Sequence, residues 1–387
     1  MVHILRRRVT SAARWATLVT AALLLWLPSG GAAWAADPCC DDCIPPVGDM
    51  LGAEDFELDL RAPGGPRLLV SSEARRSDDT DPGPSGGLYA IPITSEGLGI
   101  PRLLLDRAAG CPLRPHGISL VADGSAQLLF VINHSRPADD GTGACVLPRS
   151  GPKNTPALHQ VLRFRVHGDL VTLEGAPLAA PELWNPNDVA ATGPNDVFVT
   201  NTPLQSILRA ALEYLRLWVS SDVVHWDGER WSVVTDRVRY PNGVLATRER
   251  LWVASSLERR ILVYDRTGNG FTQNRTAAIP VPSGLDNLLW AVDDDGTRTG
   301  DDMYVAGHPR LWDFIAHARD HMRASPSEIF LVRPGAARPA RLVHRSEGVG
   351  IRAASAGLVF RNHLYMGQVF EPGIAVCRCR PCVGGQE

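Results

Sequence analysis

The clearest pattern along the chain is a short apolar run, rich in strand-forming residues, that ends in small or polar residues and returns six times. The copies are Leu68-Leu69-Val70-Ser71-Ser72, Leu129-Phe130-Val131-Ile132-Asn133 and Val197-Phe198-Val199-Thr200-Asn201. They continue as Leu251-Trp252-Val253-Ala254-Ser255, Met303-Tyr304-Val305-Ala306-Gly307 and Leu364-Tyr365-Met366-Gly367. Successive copies begin between 52 and 68 residues apart. A second strand-like run usually follows, at 87–91, 161–164, 260–264 and 328–332. Strands repeating at such intervals predict the blades of an all-β propeller. Six blades use the whole chain after its first 35 residues, so residues 36–387 are expected to form one domain.

One stretch breaks the strand pattern. Leu204, Ile207, Leu208, Ala211, Leu215 and Trp218 recur at steps of three and four, which predicts an amphipathic helix over 204–218. Such a helix would pack as a lid over one propeller face, or would dock on a membrane or close over an apolar substrate. The acidic run at 293–296, with Asp301 and Asp302, lacks the alternating ligands and closing glutamate of an EF-hand and reads as a solvated turn.

Composition adjusts this picture only slightly. Hydrophobic residues make up 44% and charged residues 21%, ordinary for a protein with a large core. Thirty prolines and 36 glycines fit many turns between short strands. A formal charge of −3 gives no electrostatic footprint for nucleic acid. At the N-terminus, Arg6-Arg7-Arg8, an apolar run over 15–27 and Ala33-Trp34-Ala35 make a leader with a small-residue cleavage pattern, expected over residues 1–35. The mature domain is therefore expected outside the cytoplasm. All eight cysteines follow the leader, three clustered at 39–43 and three at 377–382. Disulfides joining the chain ends would fasten a closed ring of blades. The Cys-x-x-Cys pairs at 40–43 and 379–382 also leave room for a zinc knot.

Candidate chemistry lies just upstream of the repeated runs. Glu54-Asp55, His116-Gly117-Ile118, Asn187-Asp188, Asn242-Gly243 and Asp286-Asn287 precede the first five by roughly 9 to 17 residues. That spacing sets each at the start of its blade's innermost strand, where all face the central channel. Glu54, Asn187, Asn242, Asp286 and Asn287 offer two carboxylates and three amide carbonyls. Such hard oxygen donors suit calcium better than magnesium or zinc. Asp55 and Asp188, pointing the other way along an extended backbone, could hold a second calcium with a backbone carbonyl near His116. His116 and His134 are placed to form a dyad for general-base work. His308, ending another run, is expected to line the pocket.

Taken together, Gly52-Ala53-Glu54-Asp55, Pro115-His116-Gly117-Ile118-Ser119, Asn133-His134, Asn187-Asp188, Asn242-Gly243, Leu285-Asp286-Asn287 and Gly307-His308-Pro309 resemble the serum paraoxonase/arylesterase family. The motifs run in order from about residue 43 to 377. The resemblance implies a six-bladed propeller with two calcium ions in its tunnel. The catalytic ion would be held by Glu54, Asn187, Asn242, Asp286 and Asn287, and the structural ion by Asp55, Asp188 and the carbonyl of Ile118. It further implies a His116–His134 dyad, a disulfide between Cys43 and Cys377, and hydrolysis of lactones and aryl esters, with phosphotriesters as a side activity. Tyr240 is expected among the pocket-lining residues. Two departures stand out: after Thr200-Asn201 the family commonly has an acidic residue where this chain has Thr202 and Pro203, and segment 136–156 is longer. The expected partner is a small ester or lactone, with peripheral membrane contact through the leader or the 204–218 helix as a further option. A non-catalytic calcium-stabilised binding propeller and a sugar-lactone lactonase of the gluconolactonase type are the competing readings.

Overall fold

The second strand of each blade is apolar on both faces because neighbouring blades cover both. Ala126–His134 is buried over all but its last residue, and Arg67–Ser72 throughout. Outer strands such as Trp231–Thr235 face solvent and lack such a run. The computed structural model describes residues 38–76, 86–105, 113–134, 149–150, 155–156, 159–203, 221–268 and 270–380. The expected leader, the helix over 204–218, and Cys111, Cys145 and Cys382 lie outside them.

Six antiparallel sheets form the blades. From the channel outward, the first begins Ala53–Asp59, Arg67–Ser72, Gly87–Thr94, and the second is Pro115–Asp123, Ala126–His134, His159–His167, Leu170–Leu173. The third is Pro186–Gly193, Asp196–Asn201, Asp222–Trp226, Trp231–Thr235. The fourth begins Pro241–Ala246, Arg250–Ser255, Arg260–Thr267, and the fifth is Gly284–Val292, Arg298–His308, Ser327–Val332, Ala340–Ser346. The repeated run is thus the second strand of every blade, and the six-bladed expectation holds. Large side chains including Phe56, Phe130, Phe198, Trp252, Phe330 and Phe360 fill the space between blades.

The sixth blade closes the ring. Ala354–Phe360, His363–Gln368 and Pro372–Cys379 take their outermost strand from the other chain end, Cys40–Leu51. In that pairing Cys43 lies opposite Cys377 and Cys40 opposite Cys379, and both pairs are disulfides. The expected Cys43–Cys377 bridge is present, with a second beside it. Because Cys40, Cys43 and Cys379 are oxidised, and Cys39 is disulfide-bonded too, the zinc knot has no thiolate among the described residues.

The segment after His308, for which the sequence predicted no helix, forms one, Leu311–Arg319. Phe314 on it packs against His308 with ring centroids 4.3 Å apart and the planes tilted by 33°. His317, fully buried, donates from Nδ1 to the carbonyl of Arg323 (2.7 Å) and lies 3.0 Å from Glu371. The acidic run at 293–296 is a turn in which Asp293 accepts the amides of Asp295 and Thr297. Among the described residues no helix is long and apolar enough to cross a membrane.

Candidate metal centre

All six innermost strands break register with their neighbours at the same place. The shifts fall between Ala53 and Asp55, Pro115 and Ile118, Pro186 and Val189, Pro241 and Val244, Leu285 and Leu288, and Ala354 and Ala356. Such bulges re-aim side chains that strict alternation would send to opposite faces. They fall on the polar motifs found in the sequence, and on Ser355 in the sixth blade. Neighbouring inner strands also approach closely here. A methyl on Gly117 would lie 2.6 Å from Asp188 Cα, and one on Gly243 would lie 2.5 Å from the Leu288 amide nitrogen. Tyr240, just before the fourth motif, has φ +55°, a left-handed conformation rare for a bulky residue and rarer still before proline.

The upper set of oxygens is buried and short of partners. Glu54, Asn242, Asp286 and Asn287 are each under 10% exposed. The side-chain oxygens of Asn187, Asn242 and Asn287 are buried without any hydrogen bond. Each such orphan is destabilising by about 1–3 kcal/mol. Three together are a sizeable fraction of a total stability of roughly 5–15 kcal/mol, unless they coordinate something. With two carboxylates beside them, the donor set is all oxygen and fits a calcium ion.

The carboxylates differ in their surroundings. Glu54 is 3.5 Å from His116 Nε2, accepts from Asn287 Nδ2 (3.1 Å) and pairs with Arg75 (3.3 Å). Burial alone would raise its pKa, but the charges of His116 and Arg75 outweigh it and hold the group at about 2. Asp286 accepts from His308 Nε2 (2.7 Å), yet burial keeps it above the ordinary carboxylate range.

His116 Nδ1 lies 2.8 Å from His134 Nε2, so the two histidines paired in the sequence do meet. The chain does not stop there, for His134 Nδ1 lies 2.8 Å from His159 Nδ1. Sequence reasoning missed His159, and also Arg75 and Ser355, whose hydroxyl donates to the Glu54 carbonyl (2.5 Å). Thr202, where an acid was absent, bonds the Asn185 side chain. Tyr240 is half-buried at the start of the fourth blade.

Deeper in the channel, Asp55 accepts the amides of Phe56 and Ile118, and Asp188 those of Val189 and Val244. Each carboxylate thus ties its own blade to the next. Glu57 accepts from the Leu120 amide (3.2 Å). Burial, then Asp188 and Glu54, push Asp55 well above its usual range, burial does the same to Asp188, and it lifts Glu57 to about 8. Among the described residues no cationic side chain offsets them. Raised carboxylates favour folding while protonated, a contribution lost as pH climbs through their folded-state values. The cation-free protein is therefore expected to melt higher at pH 5.5 than at pH 8.5, with calcium narrowing or reversing the gap because it binds the charged form. Melting curves in chelator and in calcium check this, and a chelated protein that gains stability from pH 5.5 to 8.5 contradicts it.

The arylesterase family profile matches residues 178–377, more than half of the chain. That span contains Asn187, Asn242, Asp286, Asn287 and His308, while Glu54, His116, His134 and His159 precede it. Comparison with curated proteins finds no match. Among solved structures, a regucalcin described as a calcium-binding protein, from Agrobacterium tumefaciens, is similar at 8% identity and TM-score 0.46, over 88% of this chain and 93% of that one. A Trypanosoma rangeli sialidase bound to sialic acid is similar at 10% identity and TM-score 0.46, over 89% of this chain and 58% of that one. A nidogen/laminin complex chain is similar at 14% identity and TM-score 0.37, over 73% of this chain and 82% of that one. All three scores fall below 0.5, and nothing about function follows from them.

Proposed function

The chain belongs to the arylesterase family, and from that premise we propose that it is an exported, calcium-dependent hydrolase of lactones and aryl esters, with phosphotriesters as a side activity. The observation that carries the calcium is the trio of buried, unpartnered amide oxygens of Asn187, Asn242 and Asn287 beside Glu54 and Asp286. These five residues would hold the catalytic ion, and Asp55, Asp188 and the Ile118 carbonyl a second, structural one. When bound, calcium supplies Lewis-acid polarisation of a carbonyl and stabilises charge developing on its oxygen.

The protein's own groups do the rest. His116 takes a proton from water at Nε2, and that water forms the new C–O bond to the acyl carbon. The bond to the leaving oxygen breaks, and that oxygen receives the proton back. His134, hydrogen-bonded to His116 Nδ1, holds the ring in place. His308 fixes Asp286 through Nε2 and is itself backed by the Phe314 ring. Tyr240, His308 and Phe314 would line the acyl or aryl side of the pocket. Two disulfides between the chain ends support an oxidising compartment, consistent with export. Contact with a membrane surface, if made, would use the leader or the 204–218 segment.

The decisive assay is a panel of lactones, aryl esters and phosphotriesters measured before and after chelation. Turnover of lactones and aryl esters that vanishes with the chelator and returns with calcium is the expected result. Undiminished turnover in chelator would sink the metal-dependent mechanism, and no turnover of any member would sink the hydrolase reading.

A further inference from the structure

His116, His134 and His159 sit at the same end of the first, second and third strands of one blade. Pro115 pairs with Asn133 across the first two, and His134 lies directly opposite His159 across the second and third. Strands are about 4.8 Å apart, so the three rings run radially from the channel outward by about 10 Å. The links are continuous: 2.8 Å from His116 Nδ1 to His134 Nε2, and 2.8 Å from His134 Nδ1 to His159 Nδ1. The ring pairs lie 5.0 and 4.9 Å apart, tilted and edge-on, as in-plane hydrogen bonds between imidazoles require.

We propose that His159 is a positioning residue that sets the tautomer of the two inner histidines and forms the outer end of a three-imidazole proton relay. The inference rests on the hydrolase reading above and adds to it a residue, and a route for the proton, outside the His116–His134 pair. A neutral imidazole has one donor and one acceptor nitrogen, so two consecutive ring-to-ring bonds can be satisfied in only two ways. In the first, His116 donates to His134 and His134 donates to His159, which leaves the His116 Nε2 lone pair facing the site and a proton on His159 Nε2. In the second, every donor and acceptor is exchanged. Passing from the first to the second binds one proton at His116 Nε2, shifts one across each link, and releases one from Nε2 of the partly exposed His159 to solvent water. The reverse shift, on protonation of the leaving oxygen by His116, takes one proton back up at His159. The cycle closes with no net change, and no heavy atom need move. Burial, then the charge of His116, holds His159 at about 4, so it enters the chain as the neutral ring that this alternation needs.

The test compares His159→Ala and His159→Asn with wild type. Asparagine keeps a polar group near the Nδ1 position and can orient His134, but cannot exchange protons. The expected result is a fall in kcat of about tenfold or more in both variants with KM within about twofold, given the 10²–10⁴ typical of acid–base groups. Added imidazole is expected to restore most of the lost turnover to His159→Ala, which an unfolded variant could not show. Wild-type kcat in His159→Ala would overturn the proposal, and so would full turnover in His159→Asn, which would reduce the residue to a structural prop. Absence of turnover in the wild type itself would instead fault the hydrolase reading.

Discussion

Replacing His116 with glutamine is expected to lower kcat toward a lactone or aryl ester by a factor of about 10² to 10⁴, while calcium affinity and melting temperature stay near wild type. Glutamine carries a polar atom close to the Nε2 position, so it can keep the contact toward Glu54, but it cannot accept a proton near neutral pH. The geometry argues for this residue over its neighbours. Burial, then Arg75, pulls His116 below its ordinary value, although Glu54 pulls the other way. A ring that is neutral at pH 7, with Nδ1 committed to His134, turns Nε2 toward the site, 3.5 Å from Glu54. His134 has both nitrogens committed to other rings, and His308 spends Nε2 on Asp286. The rival base is Asp286, whose carboxylate would be bound to the metal. Steady-state kinetics with calcium titration on the same preparation separates the two. Turnover within threefold of wild type in His116→Gln would move the base to Asp286, and a loss that tracks weakened calcium binding would make the effect one of the metal site alone.

How much of this could be read from residue order depends on what each feature needs from the third dimension. The second strands were legible because blades cover them on both faces, which forces an unbroken apolar run such as 128–132. The channel motifs were legible because Asn, Asp and Glu just ahead of a buried strand are conspicuous, and five of them fall at one blade position. Ser355 gave no such signal, since a serine between two alanines suits any turn, and its bond to the Glu54 carbonyl exists only once the sixth blade meets the first. His159 was hidden for a similar reason: strand register, 25 residues from His134, makes them neighbours. Arg75 follows a strand as an ordinary loop cation and is seen to pair with Glu54 only in the fold. Adjacent ligands such as Asp286 and Asn287 ought to face opposite ways on a regular strand. It is the bulge, absent from any periodicity, that permits both to turn inward. The helix Leu311–Arg319 lacks a side-chain N-cap, so the usual start signal was missing.

The ring closure yields the other large effect. Removing both Cys43–Cys377 and Cys40–Cys379, with Cys39 also replaced so that its own disulfide cannot hold the strand, by alanine at all five positions, is expected to destabilise the protein by roughly 5 kcal/mol in the chain-entropy model. Removing either pair alone is expected to do far less. The two bridges span 334 and 339 residues of sequence, so each by itself constrains nearly the whole unfolded chain. Once one is in place, the other closes only the few residues between neighbouring bridge positions on the two strands. Loop-closure entropy grows with the logarithm of loop length, so the second bridge adds little. The strand Cys40–Leu51 would still pair with Pro372–Cys379, but its hydrogen bonds would then have to recruit a free chain end. Opening the sixth blade also exposes the core around Cys377 and Met366, both fully buried. Denaturant unfolding of the two double-alanine variants and the five-alanine variant measures this directly. Strong non-additivity, with each double variant within about 1–2 kcal/mol of wild type, is the expected outcome. A five-alanine variant as stable as wild type would mean that sheet pairing alone holds the ring shut.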